Sequence, residues 1–359
     1  MQLLLVGKND ISQIKSVNAS SRTLNEGEVR LRVESFALTA NNITYAVTGD
    51  LIGYWKFFPV SEEGWGIVPV WGHAVVIETE CEGIDLGERL YGYLPMAEEL
   101  VVHPSRIRQN AFKDGSDHRS QLPAVYNEYI RLNNSEHHDT GLEDLQSILY
   151  PLYATSYMIY DYLMDNNYFG AKQILIGSAS SKTAVGLLQL LSDDETVDPK
   201  IIGLTSTRNQ DFVKNLGVCD QVITYENIER ETEKIPSVYI DMSGNADVRV
   251  SLHTHLDAQL LVSCSVGVSH WDKFRPTKEL PGAKPQMFFA PAQIQKRHDE
   301  WGPGVIQGKT QAAWRDLAIK SKSWLTVKEG KNLTDGIVAY KELIAGETLP
   351  TEGHIIRTG

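Results

Sequence analysis

The spacing of apolar and polar positions predicts one strand–turn–helix unit more sharply than any other. Ile174, Leu175 and Ile176 form a short apolar run, and Ala184, Leu187, Leu188 and Leu191 then recur at helical spacing. The residues between them are small or polar, which reads as a tight turn. Ser181 stands where a side chain caps a helix, and the amides of such a first turn form an anion site.

Further along, strand and helix patterns alternate. Ile201–Leu204, Val222–Tyr225, Val238–Met242 and Leu260–Cys264 read as strands, Gln210–Leu216 (stopped by Gly217) and Val248–Leu256 as helices. That rhythm predicts a doubly wound parallel sheet, an α/β fold. Upstream the pattern is different. Val29, Leu31 and Val33 alternate with Arg30, Arg32 and Glu34, and short strands and turns continue to about Val102, which predicts a mostly β domain. Residues 106–141 are polar around a candidate helix near Val125–Leu132 and read as an insertion, either a lid or a flexible excursion. Leu142–Leu163 reads as helical in two pieces separated at Pro151. Trp271–Gly308 is irregular and punctuated by prolines, before helices near Gln311–Trp324 and Asp335–Ile344 and a last strand at His354–Ile356.

Composition narrows the picture. A chain of 359 residues is long enough for two domains. Its formal net charge of −12 argues against nucleic acid or an anionic membrane as partner. Three widely separated cysteines make no disulfide framework and no metal knuckle. With an N-terminal apolar run too short for a signal peptide and no run long enough to span a bilayer, a cytoplasmic location is expected.

Chemistry concentrates at the turn. Dinucleotide-binding folds carry G-x-G-x-x-G there, whereas Ala179, Ser181 and Ala184 hold those positions here. Lys182 opposes the helix dipole by ~0.3–1 kcal/mol unless an anion lies nearby; it is either a solvated lysine or a phosphate ligand. An NAD-binding unit ends its second strand in an acid, but Leu204–Asn209 has none. Ser206 and Arg208 suit a 2′-phosphate instead, which points to NADP(H).

Gly27–Val33 and the Gly83–Gly92 turn, with this strand–turn–helix, resemble the medium-chain dehydrogenase/reductase superfamily on its zinc-free, quinone-oxidoreductase-like side. Leu38–Tyr45, Tyr54–Pro59, Val68–Gly72 and Ser178–Ala184 are similar to the motifs of a branch of unknown function. The resemblance implies a GroES-like domain over 1–149 completed by 325–359, and a Rossmann domain over 150–324. It implies cofactor contacts at Ser180, Ser181 and Thr183, a reach to the 2′-phosphate from Lys182 and Tyr225, and nicotinamide contacts at Ser243, Gly244, Ser265, Val266 and Gly267. It also places Tyr45 near the nicotinamide with Asn41 and Asn42 beside it, which makes Tyr45 the first candidate for hydrogen-bond and proton donor and Asn42 the second.

Tyr54, Trp55 and Phe57 can wall an apolar substrate, and Tyr126 can cover it from the insertion. Gly72-His73-Ala74 echoes the histidine motif of zinc alcohol dehydrogenases, but no cysteine accompanies it, so no metal is expected and His73 reads as a packed histidine. His253, His255 and the His137–His138 pair read as solvated. The expected activity is NADPH-dependent, metal-free reduction of an activated carbonyl, enone or quinone. Nucleotide binding without turnover and redox-neutral lyase chemistry stay open. Superfamily members are often homodimers, and no residue here marks an interface.

Overall fold

The computed structural model describes residues 1–134, 138–266 and 280–359. It has two compact units, Met1–Ile148 with Trp324–Gly359, and Leu149–Ser323.

The second unit is built on six parallel strands: Gln173–Gly177, Lys200–Thr205, Gln221–Thr224, Ser237–Asp241, Leu260–Ser265 and Pro285–Met287. Numbered in chain order, they lie side by side as 3-2-1-4-5-6, the doubly wound Rossmann arrangement. Each strand of its centre is buried on both faces because alternate side chains enter different cores. Ile174 and Ile176 pack with Ala184, Leu187, Leu188 and Leu191. Leu175 points the other way, to Leu204, Tyr239 and Leu252. Strands one and four are neighbours, so the winding reverses between them and opens a crevice at their carboxyl ends.

The first unit centres on three antiparallel strands, Val29–Leu38, Pro69–Thr79 and Arg89–Pro95. The C-terminal strand Glu352–Arg357 pairs with Val29–Leu38, and Thr326–Gly330 continues that edge. Gly72 sits where Val29–Leu38 bulges: an added Cβ would lie 2.1 Å from the Ser35 carbonyl oxygen, so no side chain fits.

Four expectations change. The described part of 106–141 is no detached excursion: Ala111–Asp114 and Glu128–Arg131 pair with each other, and the latter with Arg89–Pro95. The helix expected near Val125–Leu132 is a short 3-10 turn, Ala124–Asn127, leading into that strand. Pro151 does not divide its helix, which runs unbroken over Glu143–Asp165. An interior proline costs about 3 kcal/mol, but Ile148, Leu149, Leu152, Ile159 and Leu163 are buried along it, each contributing roughly 1.5–3 kcal/mol. The described part of Trp271–Gly308 includes a helix, Ala290–Trp301, with Pro291 in its first turn, where its missing N–H is harmless.

Candidate functional site

The turn after the first parallel strand is held from three sides. Ser178 takes φ +52°, the left-handed conformation in which glycine is usually found. The backbone demand for glycine thus falls on Ser178 and not on Ala179, which the motif spacing indicated. Ala179 is fully buried, its Cβ set against Gly203 of the second strand, and its N–H donates to the Leu204 carbonyl at 2.9 Å. Ala184 is likewise buried against the strand. Neither methyl group therefore lies on the outer face of the turn. Ser181 caps the helix Lys182–Asp193, its Oγ accepting from the Ala184 N–H at 3.2 Å. Lys182 and Thr183 occupy the first turn, half-buried, where an anion finds amides and a cation together.

The loops after strands two and three are fastened to this turn. Asn209 donates to the nearly buried Ser180 Oγ at 3.0 Å, which sets the loop of Ser206 and Arg208 beside it. Tyr225 accepts from the Ser178 N–H at 3.1 Å, leaving its own proton to donate. Burial pushes its phenol up to about 12, so the hydroxyl stays protonated. Thr207 Oγ1 donates to Glu226 at 3.2 Å.

At the ends of strands four and five, Asp241 organises the backbone. It is fully buried, and its Oδ1 accepts from the N–H groups of Ser243 and Gly244 at 3.1 and 2.9 Å. Arg249 lies 3.6 Å from its other oxygen. The Val266 N–H donates to the Asp241 carbonyl, and the Ser265 carbonyl accepts from Phe288. Gly244, Ser265 and Val266 thus meet at the crevice rim through their backbones. Gly267 lies outside the described residues. Asp241 was missed in the sequence, although an acid before Ser-Gly-Asn is a turn signal.

In the first unit, Trp71 lies opposite Tyr93 and His73 opposite Tyr91 across two paired strands, so strand periodicity puts all four on one face. Tyr45 packs on them from the helix Ala40–Val47, its ring 4.4 Å from Tyr54 and 5.7 Å from Tyr93. Its hydroxyl accepts from the Trp71 indole N–H at 3.3 Å. Burial raises the Tyr45 phenol far above its ordinary value, and hydrogen bonds from Trp71 and Asn41 only partly offset this. Tyr126 is half-buried and meets the Tyr54 hydroxyl at 3.1 Å, and Phe57 lies parallel to Tyr54 and edge-on to Tyr126.

Two expected members stand apart. Asn42 is spent on the backbone: its Oδ1 accepts from the Thr39 N–H at 2.7 Å and its Nδ2 donates to the Pro69 carbonyl at 2.9 Å. It fixes the start of the Tyr45 helix. Trp55 is buried against Gly49 and Gly66, not in the tyrosine cluster. Arg119, which no sequence pattern singled out, reaches the far side of that cluster as a buried cation.

The histidines divide. His73 is 1% exposed and paired with the Ser147 hydroxyl at 3.2 Å. Contrary to expectation, His253 is fully buried, its Nδ1 bonded to the Pro281 carbonyl and its Nε2 to Ser263 Oγ, each at 2.9 Å. The helix that carries it presses one face into the sheet, so spacing alone misjudged it. His255 reaches the Thr232 carbonyl, and His138 pairs with Glu143; His137 lies outside the described residues.

Burial pushes the His73 imidazole down to about 4, so the unfolded chain binds the extra proton first. The His73 contribution to stability is then flat above pH ~6.5 and falls as pH drops from there to about 4, by roughly 3 kcal/mol at ~1.36 kcal/mol per pH decade. His73→Gln should flatten that part of a stability-against-pH curve; an unchanged slope would deny His73 this role. Among the described residues no group of three or more His, Cys, Asp or Glu is placed to hold a metal, and no helix is long and apolar enough to cross a membrane.

The chain combines a Rossmann sheet with a capped turn at its reversal point and a mostly β unit completed by the C-terminal strand, a fold that it shares with several solved structures. CurA from Vibrio vulnificus, solved with NADPH, matches over 100% of this chain and 99% of its own, at 13% identity and TM-score 0.66. The yhdH oxidoreductase from Salmonella enterica, solved with NADP, matches over all of both chains at 12% identity and TM-score 0.54. A quinone oxidoreductase from Coxiella burnetii matches over 100% and 99% at 16% and 0.53. By sequence the chain belongs to the family described as protein of unknown function (DUF2855), whose model matches residues 36–348. No curated protein matches it.

Proposed function

We propose that this chain is an NADPH-dependent, metal-free oxidoreductase that reduces an activated carbonyl, enone or quinone. The observation that carries this reading is the turn Ser178–Ser181 at the reversal of a 3-2-1-4-5-6 sheet, with the Ser206–Arg208 loop fastened to it. Similarly folded proteins solved with NADPH or NADP support it. We assign Leu149–Ser323 as the nucleotide-binding unit and the remainder as the substrate unit.

In this reading Ser181 and Thr183 hold the pyrophosphate, and Lys182, Ser206, Arg208 and Tyr225 hold the 2′-phosphate. The backbone of Gly244, Ser265 and Val266 admits the nicotinamide ring. NADPH, when bound, supplies hydride. Tyr45 donates a hydrogen bond and then a proton to the substrate oxygen, and Trp71 and Asn41 orient its hydroxyl. Tyr54, Phe57 and Tyr126 wall an apolar substrate.

NADPH at ~100 times its Kd should raise the stability of the chain by about 2.7 kcal/mol, seen as an upward shift in Tm. No shift with NADPH or NADH would overturn the reading. One observation favours a second reading, NADPH binding without turnover: the Tyr45 hydroxyl is buried among rings and Asn42 is fully engaged. NADPH oxidation measured across enones, quinones and aldehydes separates the two.

A further inference from the structure

The end of the second strand carries no acid, yet a carboxylate stands beside it. Glu226 follows the third strand, and its Oε2 accepts from the Thr207 hydroxyl at 3.2 Å. Thr207 lies between Ser206 and Arg208, in the loop that Asn209 fastens to Ser180. Tyr225, the residue before Glu226, is itself fastened to Ser178. The loops of strands one, two and three are thus tied by hydrogen bonds, and the exposed Glu226 is held at their edge by its bond from Thr207. Its carboxyl is held below the usual range, chiefly by a backbone hydrogen bond, so it is an anion at neutral pH.

A carboxylate has about four acceptor positions, and the bonds from its own backbone, Thr207 and Thr224 leave capacity for one more donor. A ribose 2′-hydroxyl is such a donor; a 2′-phosphate is not. Resting on the nucleotide reading above, we infer that Glu226 reads the ribose 2′ position from the third strand. It accepts from the 2′-hydroxyl of NADH and repels the 2′-phosphate of NADPH. Arg208 and Glu226 therefore act in opposite senses on one position, and the chain takes both nucleotides. Thr207 is the positioning residue that holds the carboxylate to the loop.

The test is the Kd of NADPH and of NADH for the full chain and for Glu226→Gln, at low and high salt. Glu226 is exposed, so the substitution leaves the core intact. The variant should bind NADPH about 5–10-fold more tightly at low salt, with the gain shrinking as added salt screens the charge. It should bind NADH roughly 3-fold more weakly, as the ionised acceptor of the 2′-hydroxyl becomes a neutral one. Thr207→Val, which releases the carboxylate, should move both constants in the same directions by less. Two unchanged constants, or two that move in parallel, would overturn the inference while leaving nucleotide binding in place. Failure of the native chain to bind either nucleotide would remove the underlying reading and this inference with it.

Discussion

Arg119→Ala should destabilise the first unit by about 3–5 kcal/mol, the range found when one partner of a buried ion pair is removed. Arg119 and Asp114 are each 1% exposed and 3.2 Å apart. The guanidinium also donates to the Tyr129 hydroxyl at 3.3 Å and lies 4.8 Å from the Phe58 ring centre. Tyr129 in turn donates to the Tyr93 carbonyl at 2.7 Å, so the loss reaches the tyrosine face. Alanine leaves the Asp114 carboxylate buried without its counter-charge, although the N–H groups of His103 and Ser116 still donate to it. Arg119→Lys keeps the charge but not the planar fork and should lose less. Urea unfolding followed by near-UV circular dichroism reads the difference. A loss under about 1 kcal/mol would mean that 106–131 is not part of this core, since surface substitutions stay within about that range.

That segment also shows what sequence could not reveal. The parallel sheet was legible because Ile174, Ile176, Ile202 and Val238 are buried and apolar, and their runs end in small or capping residues. The strands Ala111–Asp114 and Glu128–Arg131 are four residues each and contain Lys113, Asp114, Glu128 and Arg131. Asp114 is neutralised by Arg119, which follows in a turn outside the strand, and Arg131 by Glu88, 43 residues away, so the local pattern reads as solvated. The turn after the first parallel strand was legible for a similar local reason, since Ser181 and the helix it caps are neighbours. Its glycine-like position was misplaced by one residue, because left-handed φ at Ser178 leaves no mark in composition. Asn42 was legible as polar but not as a cap. Its partners are the Thr39 N–H and the Pro69 carbonyl, and only the first is close in sequence.

Tyr45→Phe should lower kcat by about 100-fold or more, the usual range for a lost proton donor, while the Kd of NADPH stays where it was. The substitution removes one oxygen from a ring that keeps its contacts with Tyr54 and Tyr93. It also leaves the Trp71 N–H without its acceptor, at about 1 kcal/mol, too little to account for such a fall in rate. Because burial raises the Tyr45 phenol so far, the hydroxyl remains protonated through neutral and mildly alkaline pH. The native rate should therefore show no alkaline limb from this group below pH ~10, the ordinary tyrosine value. Trp71→Phe frees the hydroxyl to rotate and should lower kcat by a smaller factor, about 3–10-fold. In the double variant the Trp71 substitution should add almost nothing, because it acts through the oxygen already removed. Measured on the enone or quinone turned over fastest, a kcat unchanged by Tyr45→Phe would leave this phenol a packing residue. Additive losses in the double variant would separate Trp71 from it.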